Sequence, residues 1–258
     1  MEKMPAVFVG HGDPMIALKT NEMTETLNKI GKEIVKNHGE PKAILTISAH
    51  WFTKDTFIQS AEFPKQIYDM YGFPDELYEV KYPVKGSKDL TNEVENILGN
   101  DVKINDDWGI DHGTWTIFVH MFPEAKIPVV QLSVNAYLSS EEAYKLGEKL
   151  AELREKGYLI VGSGNIVHNL RKIEWDNPKG SHEADNFDKY ILDSISKRED
   201  TKVINYQENE YSNYAVPTPD HFMPILYILG ASQGEKPYIF NEIRELGSLS
   251  MTSYAFGL

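Results

Sequence analysis

Three short runs of apolar residues, Ala6 to Val9, Ala43 to Ile47 and Tyr158 to Val161, carry no polar alternation. Such runs are expected of strands buried on both faces of a sheet. Between the first two, Asn21 to Asn37 places Leu27, Ile30 and Ile34 at helical spacing and stops at His38-Gly39, with Pro41 beyond, which makes a strand, helix, strand unit. A second helix is predicted over Ser87 to Leu98, where Leu90, Val94, Ile97 and Leu98 share one face and Gly99-Asn100 ends it. Ile127 to Val134 reads as a further strand. Ser139 to Glu155 reads as the helix after it, and Ser139 and Glu142 have the spacing of a capping box. The alternation predicts an α/β fold: a single domain over residues 1–258, with a central, mostly parallel sheet flanked by helices.

Two stretches break the pattern. Glu62 to Gly86 scatters Pro64, Gly72, Pro74, Pro83 and Gly86 among tyrosines and phenylalanines, and a long irregular excursion inside a compact domain is expected to serve function. Its Tyr68, Tyr71 and Phe73 are candidates to wall an apolar pocket, with the excursion at the pocket mouth. Gln207 to Pro219 is a second, polar irregular stretch, and the run from His221 to Leu229 after it is helix-like.

Histidines fall where this pattern changes. His11 in VFVGHGDP, His50 in LTISAHW and His168 in LIVGSGNIVHNL each follow one of the three strand-like runs. The carboxyl ends of neighbouring strands in an open α/β sheet form the crevice in which ligands bind, so these residues are expected to converge there. His112 in WGIDHGTW and His221 in PTPDHFMP occupy turns before apolar helices, where the field of the helix N-terminus favours a neutral imidazole. Together the five predict a metal site at the carboxyl ends of the strands. His38, His120 and His182 read as structural. The GSGN turn at Gly162 to Asn165 lacks the spacing of a phosphate-binding loop, so nucleotide binding is rejected.

Composition narrows the chemistry further. The chain has no cysteine, so any metal is held by nitrogen and oxygen. A formal charge of -13 repels phosphate backbones and anionic lipid, arguing against nucleic acid and membrane partners. The apolar stretch near Met1 is too short for a signal h-region, and no segment approaches a membrane span, so cytoplasmic residence is expected.

The segments MPAVFVGHGDP, LTISAHWFT, WGIDHGTW, IPVVQLSV, VGSGNIVHNLR, PTPDHFMPILY and SLSMTSY, in that order, cover nearly the whole chain. Together they resemble the extradiol 4,5-DOPA dioxygenase group of LigB-type ring-cleaving enzymes. The resemblance implies one divalent metal on His11, His50 and His221, with His168 as a fourth ligand or a nearby acid/base residue and His112 as the acid/base catalyst. It also implies a small catechol substrate that loses its protons and chelates Fe(II), with O₂ as co-substrate. Other enzymes of this type complete the ligand set with a glutamate; here a histidine stands instead. An all-nitrogen set suits Zn(II) as well as Fe(II), so a zinc hydrolase is the alternative enzyme reading and a non-catalytic metal-binding protein the alternative to both. Oligomeric state is left open.

Overall fold

The computed structural model describes residues 3–258. Its strands are β1 (Ala6–Gly10), β2 (Ala43–Thr53), β3 (Phe57–Ile58), β4 (Lys103–Ile104), β5 (Val129–Asn135), β6 (Tyr158–Gly164), β7 (Pro237–Phe240), β8 (Arg244–Glu245), β9 (Leu249–Ser250) and β10 (Ser253–Phe256). The helices are α1 (Glu22–His38), α2 (Asp75–Glu79), α3 (Lys88–Leu98), α4 (His112–Met121), α5 (Ser140–Leu150), α6 (Glu152–Glu155), α7 (His182–Ser196), α8 (Asp200–Ile204), α9 (Ser212–Ala215) and α10 (Met223–Ser232). The main sheet runs β4-β3-β5-β2-β6-β1-β10-β7. Its central strands β5, β2, β6 and β1 are parallel, and antiparallel partners close one edge at β10 and β7. The fold is the expected single-domain α/β arrangement, with a large, mostly parallel sheet flanked by helices.

The unbroken apolar runs follow from burial on both faces. In β1, Ala6 and Phe8 face a core built with α3, α5, α7 and α10, while Val7 and Val9 face another built with α1 and α4. The same division separates Leu45 and Ile47 from Ile44 in β2, and Ile160 from Leu159 and Val161 in β6. Helix starts obey local chemistry. Asn21 and Thr24 form a reciprocal capping box at α1, and Ser139 and Glu142 form the expected one at α5.

The structure departs from the sequence reading in three places. The strand starting at Ala43 does not stop at Ile47 but continues to Thr53 through a bulge between Ser48 and Phe52. His50 therefore lies within β2, at the irregularity, rather than in a turn after it. The helix expected through Glu155 divides at Ala151 into α5 and α6. Helix α7 and the C-terminal strands were not anticipated.

On the face that holds α5 and α10, the two helices meet at closest range through glycine. A Cβ at Gly147 would stand 2.1 Å from the Tyr227 carbonyl oxygen, and one at Gly230 would stand 2.0 Å from that of Tyr144. Both obstacles are backbone, so Gly147→Ala must separate the helices. The expected loss is about 1–3 kcal/mol of stability, read from urea unfolding; an unchanged midpoint contradicts this packing account.

Candidate metal centre

Separate elements deliver the five histidines to one end of the sheet. His11 follows β1 directly, and its backbone N–H donates to the Gly164 carbonyl at the end of β6 (3.1 Å). His50 is turned inward by the β2 bulge, the usual effect of such an irregularity beside a functional site. His112 is the first residue of α4, and His168 lies shortly beyond β6. His221 precedes α10, and its carbonyl accepts the Asn165 N–H (2.9 Å). A Cβ at Gly164 would stand 2.1 Å from that carbonyl oxygen, so only glycine allows β6 to meet the His221 turn so closely. All five histidines line one cavity of about 670 Å³.

Three of the rings form a nearly equilateral triangle. Ring centres are 5.0 Å apart for His11 and His50, 5.2 Å for His11 and His221, and 5.0 Å for His50 and His221. Each ring is fixed from behind by an oxygen at Nδ1: Ser163 Oγ for His11 (2.9 Å), Asp69 Oδ2 for His50 (3.2 Å) and Asp220 Oδ2 for His221. Ser163 Oγ donates its own proton to the Gly113 carbonyl, so it accepts from His11 Nδ1–H and leaves a lone pair on His11 Nε2. The Asp69 and Asp220 carboxylates likewise hold protons on the Nδ1 atoms of His50 and His221. His11 Nε2 and His50 Nε2 are 3.2 Å apart, and buried His221 Nε2 has no protein partner. With metal–nitrogen bonds of about 2.1 Å, that spacing corresponds to a ligand–metal–ligand angle of about 100°. The donor set thus fits one divalent ion, and the Nδ1 partners are the outer contacts that orient imidazole ligands.

His168 and His112 stand differently. The His168 ring lies flat on that of His221, with centres 3.5 Å apart and planes within 5°. An imidazole lone pair lies in the ring plane, so an ion in the plane of His221 stands well off the plane of His168. His112 has its ring centre 3.8 Å from that of His50, and its nitrogen falls within 4.8 Å of the ligand atoms of both His11 and His50. Distance therefore leaves it within reach of the same ion. Its Nδ1 is 3.0 Å from Asp69 Oδ1, an oxygen that also accepts the His112 backbone N–H at 2.9 Å.

Electrostatics sort these groups. Burial, reinforced by neighbouring imidazoles, pushes His11 and His168 well below the ordinary histidine value. Burial also takes His221 down to about 4 despite its bond to Asp220. His50 goes the other way: burial opposes its charge, but the hydrogen bond to Asp69 and the charges of Asp111, Asp69 and Asp220 outweigh it. For Asp69, burial is overcome by the bonds from His112 and His50, which hold the carboxyl well below its usual range. Asp111 is fully buried and pushed upward by that burial; it receives bonds from Ser48, Trp108 and Gln131 and directly precedes the helix that begins with His112.

Met70, Tyr71 and Phe73 of the long excursion wall the cavity, and Leu170, Ile173 and Trp175 form another wall. Tyr68 is not among the lining residues. Its hydroxyl donates to the Val80 carbonyl (2.6 Å) and its ring packs on Tyr78 and Trp115, so it builds the excursion itself. The sequence reading missed Ser163, Asp69 and Asp220. The last is adjacent to His221, and an acid next to a candidate ligand was an available signal; Asp69 had none, lying in an aperiodic segment.

With this geometry in place, comparison with known proteins is decisive. The family described as the catalytic LigB subunit of aromatic ring-opening dioxygenase matches residues 5–257. The chain belongs to this family. A 4,5-DOPA dioxygenase extradiol of Escherichia coli K12 is 38% identical over 99% of this chain and 95% of that protein. The corresponding protein of Beta vulgaris is 35% identical over 96% of this chain and 95% of its own length. The crystal structure of an uncharacterized Escherichia coli K12 protein matches with a TM-score of 0.86 at 36% identity, covering 99% of this chain and 100% of that one. The LigB-family chain is therefore an oxidoreductase, a metal-dependent extradiol dioxygenase with a single metal site and a small aromatic substrate, rather than a hydrolase. Among the described residues no helix is long and apolar enough to cross a membrane.

Two outcomes are expected. Asp69→Asn replaces one of two acceptors with a donor facing an imidazole N–H, so metal affinity should fall roughly 10- to 100-fold in a chelator competition titration; unchanged affinity contradicts the orienting role. Second, the lowered pKa values of His11, His168 and His221 mean that the unfolded chain binds more protons below about pH 6.5. The metal-free protein should therefore lose stability as pH falls from 7 towards 4, with raised His50 opposing three lowered partners. Melting temperatures at pH 7 and pH 5 check the sign; a higher value at pH 5 contradicts it.

Proposed function

We propose that the protein opens the ring of a catechol of the DOPA type with O₂, using one Fe(II) held by His11, His50 and His221. In this reading residues 1–258 act as one catalytic unit in the cytoplasm. The observation that carries it is the approach of His11 Nε2 and His50 Nε2 to 3.2 Å with the His221 ring centred 5.0 to 5.2 Å from both rings, each ring with an oxygen at its Nδ1, in an apolar-walled cavity. The names of the relatives supply the substrate class. Zn(II) fits the same imidazole set and competes for it.

A divalent metal held there would supply Lewis-acid activation of the catechol and, as Fe(II), its electronic coupling to O₂. Both atoms of O₂ end in a muconic semialdehyde-type product, so no external reductant is consumed. The protein positions the ring and moves protons. His112, held at its backbone N–H by Asp69 Oδ1, which also lies 3.0 Å from its Nδ1, is the acceptor for a catechol hydroxyl proton and returns that proton to product oxygen. His168, stacked on His221 and kept neutral by burial, takes the acid/base alternative over ligation and is a second proton carrier. Met70, Tyr71 and Phe73 supply an apolar wall for the ring.

Binding and proton transfer separate on mutation. His50→Ala should give protein with little metal and no ring cleavage. His112→Ala should keep near-normal metal and bind catechol without oxygen, yet lose on the order of 10² to 10⁴ in turnover. Metal stoichiometry, anaerobic catechol binding and oxygen uptake after Fe(II) loading test both variants beside the wild type. Loss of metal in His112→Ala makes it a ligand, full activity removes it from the mechanism, and a wild type that consumes no oxygen with any catechol defeats the reading.

A further inference from the structure

Apart from the histidines, the charged side chains that line the cavity are Asp13 and Lys19. They form one unit. Asp13 caps the 3-10 turn Pro14–Leu18, its Oδ1 accepting the Met15 N–H (2.7 Å), and its Oδ2 accepts from Lys19 Nζ (3.0 Å). The anchored carboxylate fixes the lysine, while the ammonium group keeps two of its three donors for a ligand. The Lys19 side chain is 41% exposed, so a ligand can reach it. The same two residues, with Trp175 and Leu246, also line an adjoining recess of about 420 Å³ that adds Asp176, Asn177 and Glu245. The pair therefore stands where the catalytic cavity opens outward, and Lys19 is the one cation lining either space among the described residues.

A catechol whose two oxygens meet the histidine cluster directs its ring substituent away from them, towards this open end. The walls on the way are apolar and carry no information about the charge of that substituent. Selection falls to the first charged group met at the mouth. In a protein of net charge -13, a carboxylate finds no favourable place except beside a fixed cation.

We propose that Lys19 is a specificity-determining residue, which binds a carboxylate on the side chain of the catechol, with Asp13 as its positioning residue. Asp176 and Glu245 of the adjoining recess stand where they would meet an ammonium on the same tail. This rests on the dioxygenase reading for the orientation of the ring and goes beyond it in naming what reads the tail.

The test uses the Fe(II)-loaded protein without oxygen and compares equilibrium binding of DOPA, of dopamine, which lacks the carboxylate, and of 4-methylcatechol, which has no charged tail. Wild type should prefer DOPA. In Lys19→Met the ratio of DOPA to dopamine affinity should fall about tenfold, as expected for loss of one charge-assisted contact, and Lys19→Arg should recover most of it. A ratio unchanged in Lys19→Met, or equal weakening of all three ligands, overturns the proposal, as does a wild type that binds none of them. Oxygen admitted afterwards separates the two claims: tail-dependent binding without ring cleavage defeats the dioxygenase reading and leaves the role of Lys19 standing.

Discussion

Two imidazole lone pairs facing each other across 3.2 Å repel unless a positive charge lies between them, and the pairing of His11 Nε2 with His50 Nε2 is such an arrangement. Without metal, the surrounding carboxylates raise the His50 pKa and so favour a proton there. A divalent ion held by the two nitrogens would take the place of that proton, so metal uptake would release it. Everything else at the site serves to hold these two nitrogens, and that of His221, in place against their repulsion. Ser163 on β6, Asp69 on the excursion and Asp220 before α10 each grip an Nδ1.

That demand explains features of the fold that packing alone does not. A bulge in a buried parallel strand costs ladder hydrogen bonds, and here it turns His50 towards His11. The long excursion carries few elements of its own, yet it supplies both the carboxylate that links His50 to His112 and the apolar cover over the cavity. Asp69 thus ties His50 to His112, which makes the orientation of each depend on the other. The glycine at position 164 lets the His221 turn lie directly on the end of β6.

Much of this was legible in the chain. Apolar runs long enough for a strand and flanked by helical periodicity marked β1, β2 and β6, and the position of His11, His50 and His168 after such runs and of His112 and His221 before apolar helices pointed to the one cavity that all five line. What escaped has physical causes. The exception is α7, whose Ala184, Phe187, Ile191 and Ile195 stand at helical spacing, so its apolar face was legible in the chain. The extension of β2 past Ile47 depends on pairing with β5, a tertiary matter. Tyr68 and Tyr71 are near neighbours in one aromatic stretch, and only the folded excursion decides that the first packs inward while the second lines the cavity. Asp69 belongs to no periodic pattern, so its role exists only once three distant segments meet.

The most direct measurement is an anomalous-diffraction map of crystals of the protein loaded with Fe(II) under anaerobic conditions. The account predicts one ion, bonded at about 2.0 to 2.3 Å to the Nε2 atoms of His11, His50 and His221, with His168 still stacked beside it. An ion seated instead between His168 and Asp220, or no ion among the three rings at full metal loading, would contradict it.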